Sequence, residues 1–382
     1  MASIKSYKNK NGDKLYRIQL YGGLNPQTGK VQRINRRGFK SKKEATLEAS
    51  RLELEVAQGG IQKENNIKFE EVYHHWYQAY INTVRESTYA RTDAMFNNHI
   101  LPAFGNKRIR TIKINEIQRA VNQWFKLAPN NFKKWFNYTS NVFDYAIKEQ
   151  YIKDNPCKLV NIPKKQIAYG DKPANFWDKN QLLNFFSYIY PDKELEKYTL
   201  FRVLAFAGVR RGECLALTWD DIDFNEQTIR INKTLTQGLK GKQIVQAPKT
   251  RKGRRTIKMD KSTMDYLEQW RLSQRKRYLM LGFNTFQKSQ LVFASSTNNH
   301  KCLNTPAKWL KKIIKEHNLT KITVHGFRHT HASALFSAGA SIKEVQERLG
   351  HEDIQTTMDI YTHVTNQQNQ EAVNKLVKYL NF

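Results

Sequence analysis

Near the end of the chain, Tyr361 lies ten residues after His351. It follows two arginine-bearing stretches, Ala207-Gly208-Val209-Arg210 and His325-Gly326-Phe327-Arg328-His329. A tyrosine hydroxyl ionises near about pH 10, so it needs help to attack anything at neutral pH. Two arginines, a lysine and two histidines are the help a phosphodiester would call for. Attack on phosphorus builds negative charge on the non-bridging oxygens, and the planar forks of Arg210 and Arg328 can meet those oxygens bidentately where an ammonium cannot. Lys249, in Pro248-Lys249-Thr250, is a suitable general acid for a leaving 5′ oxygen. His325 and His351 complete the set.

Other chemistries fit less well. His325 and His329 have i, i+4 spacing, but the stretch lacks the glutamate of His-Glu-x-x-His and puts a cation where a metal would sit. No Asp/Glu cluster suited to two Mg²⁺ ions and no Walker loop is apparent, so neither metal nor cofactor is expected. Taken singly, Tyr361 reads as a half-buried packing residue and Lys249 as a surface turn lysine. Their joint occurrence with both arginines is what overturns that reading.

Composition points to the substrate class. The 382 residues carry 64 Lys+Arg against 34 Asp+Glu, a formal net charge of +30 spread along the chain, which implies a polyanionic partner, nucleic acid before a membrane surface. Cys157, Cys214 and Cys302 are far apart and suggest neither disulfides nor a zinc knuckle, which fits a reducing cytosol. No stretch approaches a membrane span and the first residues do not lead into a signal peptide, so a cytoplasmic, nucleoid-associated protein without a membrane anchor is expected.

At this length two or three domains are expected. Residues 1–65 predict a three-stranded sheet over Ser3–Tyr7, Lys14–Tyr21 and Lys30–Phe39. A helix capped by Ser41-Lys42-Lys43-Glu44 follows, with Ala45, Ala49, Leu52 and Val56 on one face. Fourteen Lys/Arg against six acids in this segment suit a ribbon entering a DNA groove, with Arg17, Arg33, Arg36 and Arg37 as candidate contacts.

Residues 66–165 switch to helical periodicity. Phe69, Val72, Trp76 and Tyr80 form one stripe; Tyr89, Met95 and Phe96 belong to a helix ending near Pro102. Ile117, Ala120, Val121 and Trp124 form a third stripe, and Trp135, Tyr138, Val142 and Ala146 a fourth. These aromatics read as core. Arg91, Lys133 and Lys134 are candidate phosphate contacts. A linker from about Ile162 to Pro173 separates this bundle from residues 174–382. There the pattern predicts helices from Asp178 and over Lys197–Ala207, strands at Thr228–Ile231, Gln243–Gln246 and Arg255–Met259, then helices over His325–Phe336, Ile342–Leu349 and Ile354–Ile360. A final apolar face, Ala372, Val373, Leu376, Val377 and Leu380, is expected either to pack on its own domain or to reach a neighbouring protomer.

The stretches Ala-Gly-Val-Arg-Arg-Gly-Glu (207–213), Pro-Lys-Thr (248–250), His-Gly-Phe-Arg-His (325–329), Leu-Gly-His (349–351) and Tyr361 occur in the order and approximate spacing of the tyrosine recombinase (phage integrase) family, which the chain resembles. The resemblance implies a multidomain, mainly α protein with small β-sheets: an arm-type DNA-binding domain (1–65), a helical core-binding domain (66–165) and a mixed α+β catalytic domain (174–382). It implies Arg210 and Arg328 as phosphate clamps and Lys249 and His325 as proton-transfer or charge-stabilising groups. His351 becomes an orienting group, Tyr361 the nucleophile and Glu213 a buttress for Arg210. Ala207 and Phe327 replace the Thr and Leu of many members without removing a functional group.

The implied activity is metal-free, ATP-independent cutting and rejoining of DNA through a 3′-phosphotyrosyl intermediate, integrating and excising a phage or mobile element. The implied partners are duplex DNA at core and arm sites, a homotetramer on synapsed DNA, an excisionase and a DNA-bending protein. A chromosome-resolving recombinase or a type IB topoisomerase shares the chemistry; a DNA-binding regulator without catalysis is the alternative from another class.

Overall fold

Along Lys14–Leu24 the side chains alternate, and burying Ile18 and Leu20 on one face fixes the register of the N-terminal sheet. The computed structural model describes residues 2–9, 12–24, 31–57, 67–165, 175–355, 357–358 and 361–362. Three antiparallel strands, β1 (Ser3–Lys8), β2 (Lys14–Leu24) and β3 (Val31–Phe39), lie in that order. Helix α1 (Lys42–Ala57) covers the Ile18 face with Ala45 and Ala49. Its cap differs slightly from the expected box. The Glu44 amide donates to Ser41 Oγ at 3.1 Å, but the Glu44 carboxylate accepts from the Lys40 amide at 3.1 Å, one residue before the cap.

The chain divides into two compact units, residues 1–80 with 95–164, and residues 81–94 with 165–382. The helical part of the first unit holds α2 (Phe69–Tyr80). Helix α3 (Glu86–Met95) runs on through a π-helical turn, Phe96–Ile100, into α4 (Leu101–Phe104). Pro102 stands in the last turn of this run, which ends at Phe104, close to the expected position. Without an amide hydrogen it cannot donate four residues back, and the ladder slips so that the Leu101 amide reaches Phe96 O. The π turn keeps both Phe96 and Ile100 in the core. Helices α5 (Ile114–Leu127) and α6 (Phe132–Lys148) complete the bundle. The predicted stripes are its core: Phe69, Val72, Val121 and Val142 are fully buried, and Tyr80 and Tyr138 pair their hydroxyls at 3.0 Å.

In the second unit α7 (Lys179–Ser187) starts on a true capping box of Asp178 and Gln181. Helix α8 (Pro191–Ala207) begins six residues before the predicted start, with a non-helical residue at Glu194. Then come α9 (Arg211–Leu215), β4 (Ile222–Asp223), β5 (Thr228–Ile231), β6 (Thr234–Gln237), β7 (Gln243–Gln246) and β8 (Arg255–Lys258). They make two antiparallel sheets, β4-β5-β8 and the hairpin β6-β7. Helices α10 (Lys261–Met280), α11 (Thr305–Glu316), α12 (Gly326–Ser337) and α13 (Ile342–Leu349) follow.

Two stretches beside the motif residues, Trp-Asp-Asp-Ile-Asp (219–223) and the position of Phe327, prove structural. Asp221 of Trp-Asp-Asp-Ile-Asp accepts from the Thr218 amide and hydroxyl and pairs with Lys233, closing a tight turn. Phe327 is fully buried among the rings of Trp177, Phe185 and Phe201. Residues 355, 357–358 and 361–362 are helical. The predicted linker beyond residue 165 and the apolar face from Ala372 onward lie outside the described residues. Among the described residues no helix is long and apolar enough to cross a membrane.

Since Phe327 fills a cluster with no room to collapse, Phe327→Ala should cost about 3–5 kcal/mol. Urea unfolding checks this; a loss under 1 kcal/mol would mean that the cluster relaxes.

Candidate active site

Gly208 makes the first turn of the site possible. It ends α8 in the left-handed region at φ +62°, and a Cβ there would meet His331 at 2.6 Å and Leu349 at 2.8 Å, so only glycine fits. The chain then reverses to set Arg210 at the N-terminus of α9. There Glu213 accepts from the Arg210 amide at 2.9 Å and from Arg210 Nη1 at 2.8 Å. Glu213 thus buttresses Arg210, but it is shared: Arg255 Nη2 donates to its other oxygen at 2.9 Å. Burial pushes this carboxyl up, and the two arginines, Arg255 foremost, outweigh burial and hold it below the usual carboxylate range.

Arg328, on α12, is 1% exposed. Nη1 donates to Gly208 O at 2.8 Å and Nη2 to Leu349 O at 2.6 Å, while Nε is buried with no protein acceptor among the described residues. Burial, then Arg210, lowers its ionisation to about 9, which still leaves it charged at neutral pH. The Gly208 carbonyl that receives it comes from the same left-handed turn that presents Arg210, so one glycine serves both arginines.

Lys249 is exposed in the loop after β7. It lines a cleft of about 1040 Å³ with Arg210, His325, Arg91, Arg85 and Lys315. Arg328, His351 and Tyr361 are not among the cleft-lining residues. His351 is buried behind Gly350, its Nδ1 within 2.9 Å of Thr357 Oγ1. Gly350, left-handed at φ +68°, lets the chain leave α13 close against the Lys252 carbonyl, where a Cβ would come within 2.5 Å. Tyr361 stacks edge-on against Phe336, ring centroids 5.1 Å apart, in a small apolar cluster with Val345 and Leu349.

The histidines are held neutral. Burial, then His329, Arg328 and Arg210, lowers His325 to about 4. Burial, then Arg328 and Arg210, lowers His351 to about 3. His331, which the sequence does not single out, has Nδ1 at 2.8 Å from Ala205 O and accepts from Arg348 Nε at 3.0 Å. Burial, then Arg348, lowers it to about 4. Arg348 continues to Phe206 O, and Arg255 Nε reaches Arg348 O at 2.9 Å. Arg255, Arg348 and His331 escape the sequence reading because their partners are carbonyls and groups distant in the chain. The one signal is the position of His331, one helical turn after Arg328.

The candidate DNA contacts fall in three places. Lys5, Arg17 and Arg37 are cross-strand partners, and Arg33 shares their side, away from α1. Arg36 pairs with Ile18 and so shares the side that α1 covers, since it alternates with Arg37 along β3. Lys133 and Lys134 are exposed on α6.

Three comparisons bear on identity. The description "Phage integrase family" matches residues 176–368, an N-terminal SAM-like domain of phage integrases matches 68–125, and an arm DNA-binding domain matches 4–56. The ICEBs1 integrase of Bacillus subtilis (strain 168) is 28% identical over 97% of this chain and 98% of its own length. A XerC-like tyrosine recombinase of Caldanaerobacter subterraneus is 30% identical over 96% and 97%. In fold, the Tn1549 transposon integrase in complex with transposon right end DNA superposes with a TM-score of 0.64 at 19% identity, over 81% of this chain and 100% of that one. A lambda integrase tetramer bound to a Holliday junction gives 0.57 at 16%, over 93% and 94%.

The neutral histidines make stability pH-dependent with a definite sign. Unfolded, each ionises near 6.5; folded, His325, His331 and His351 ionise near about 4, 4 and 3. The unfolded chain therefore binds protons that the folded chain refuses, so stability complete above pH 6.5 is lost as pH falls toward the folded values. Urea midpoints should drop between pH 7 and 5, less steeply in His331→Gln; a flat profile would contradict the assignment.

Proposed function

The chain belongs to the phage integrase family of tyrosine site-specific recombinases, and from that premise we propose that it is the integrase of a mobile element, cutting duplex DNA through a 3′-phosphotyrosyl intermediate on Tyr361. The observation that carries the residue roles is the convergence of Arg210, Lys249 and His325 on one cleft, with Arg328 buried behind Gly208 and holding an unused Nε donor. The scissile phosphate takes the remaining guanidinium hydrogens of both arginines. Losing one such donor typically costs about 10²–10³ in rate. Neutral His325 accepts the tyrosine proton, and Lys249 gives one to the departing 5′ oxygen. A freed 5′-hydroxyl from the partner strand reverses the step, and the bond energy kept in the phosphotyrosine removes any need for ATP. Tyr361 against Phe336 is the resting arrangement; DNA binding completes the geometry by bringing its hydroxyl to the phosphate.

The arm-type module favours an integrase over a chromosome-resolving recombinase. In this reading residues 1–65 hold arm sites with Arg17, Arg33 and Arg37, residues 66–165 grip the core site with Lys133 and Lys134, and residues 174–382 carry the chemistry with Arg91 at the cleft. Arm and core sites held by one chain require bent DNA, which a bending protein would supply and an excisionase would redirect. Four copies act on synapsed DNA in the cytoplasm of a bacterial host.

A duplex core site nicked near the cleavage position traps the intermediate, because the short product strand diffuses away. The wild-type chain should become covalently joined to DNA, Tyr361→Phe should bind without an adduct, and Arg210→Lys should slow joining by about 10²–10³. If the wild type forms no adduct on its mapped core site, or Tyr361→Phe still does, the reading fails.

A further inference from the structure

We propose that Arg85 is a positioning residue for Lys249, holding the backbone of the lysine loop so that the ammonium is presented to the leaving oxygen. The proposal rests on the reading of Lys249 as the general acid. Arg85 precedes α3, in the stretch that folds with the second unit. Its guanidinium caps three consecutive carbonyls: Nη1 donates to Ala247 O at 2.8 Å, and Nη2 to Pro248 O at 3.1 Å and Lys249 O at 3.4 Å.

The two residues that follow hold the rest of the hairpin. Ser87 Oγ, in a buried residue, donates to Gln246 Oε1 at 3.2 Å, at the end of β7. The Glu86 carboxylate accepts from the Leu239 amide at 3.4 Å, at the turn between β6 and β7. A run of three residues thus holds both ends of the hairpin that carries Lys249.

The hairpin needs that support. A two-stranded ribbon is marginal by itself, and among the described residues β6-β7 pairs with no further strand. Beyond Gln246 the carbonyls of residues 247–249 have left the ladder, and Pro248 has no amide to donate; such groups need donors from elsewhere. A guanidinium is suited to this task because its fixed fork reaches neighbouring acceptors together, whereas a lysine in its place would meet one.

Arg85 also lines the cleft and is exposed, so a direct contact with a DNA phosphate is the competing role. The chemistry separates the two. In cleavage the Tyr361 oxygen–phosphorus bond forms as the phosphorus–5′ oxygen bond breaks, and that oxygen takes its electron pair and a proton from the Lys249 ammonium. With sulfur in place of the 5′ oxygen the leaving group is a thiolate, whose conjugate acid ionises near about 8.5, and it departs unprotonated. A defect confined to general acid catalysis disappears on the sulfur substrate; a defect in phosphate binding does not.

The experiment uses the full-length chain on a duplex core site with oxygen or sulfur at the scissile 5′ position, reading single-turnover cleavage, DNA affinity and thermal midpoint. On oxygen, Lys249→Ala should lose about 10²–10⁴ in rate and Arg85→Ala on the order of 10²-fold, both with affinity unchanged. On sulfur both should return to the wild-type rate. Arg85→Lys should behave as Arg85→Ala, since it keeps the charge and loses the fork, and it serves as the second variant if Arg85→Ala folds poorly. Equal loss on both substrates with weaker binding, a wild-type rate for Arg85→Ala on oxygen, or recovery by Arg85→Lys each overturns the proposal. Rescue of Lys249→Ala without rescue of Arg85→Ala overturns this proposal alone. Failure to rescue Lys249→Ala removes the general-acid assignment and this inference with it.

Discussion

A single buried carboxylate organises the site. Glu213 is 3% exposed, and an ionised carboxylate so far from water is tolerable only when paired and hydrogen-bonded. Its two oxygens are taken by Arg210 and Arg255, and Arg255 in turn holds the carbonyls of Arg348 and Gly253. One acid thereby ties the start of α9, the start of β8 and the end of α13 into one body. The arrangement also sets charge. Around Glu213 lie three guanidiniums, those of Arg210, Arg255 and Arg328, so one acid leaves a cationic surplus in a partly desolvated place. Surplus of this kind is costly without an anion, and it makes the pocket suited to one.

The same surplus decides what the histidines do. Cations around His325 and His351 disfavour a further proton, and burial adds to them in the same direction. A neutral imidazole accepts a proton and a charged one donates, so Arg210 and Arg328 help select the base form of His325 and His351. His331 shows the structural version of this effect. Wedged between Ala205 O and the Arg348 guanidinium, it has one ring nitrogen committed to a carbonyl and the other accepting from a cation, which fixes it as a neutral spacer under Gly208.

Legibility in the sequence followed the range of each interaction. Elements set by local rules were readable: the helix from Asp178, the helix over Ile342–Leu349 and the alternation in β2 each depend on residues a few positions apart. The motif residues stood out by their types and order along the chain. Arg255 and Arg348 were not, since a surface arginine and a buried one look alike until the distant carbonyl that receives them is known. Pro102 marked the end of its helix to within two residues; what the sequence did not show is the π turn before it, which buries Phe96 and Ile100. Arg36 was grouped with Arg33 and Arg37 by its charge, although strand alternation alone puts it on the opposite side of the sheet from both.

The candidate catalytic residues rest on supports of different stiffness. Arg210 and Arg328 share a buried network through Gly208, α9 and α13. Lys249 stands on a two-stranded hairpin, and Tyr361 packs against Phe336 in a satellite cluster of four buried residues. A clamp must be preorganised to stabilise charge as it develops, and preorganisation requires burial and many partners. In the proposed mechanism a phosphate is gripped before it is cut, and a deeply paired arginine network beside a tyrosine packed on a smaller cluster fits that order.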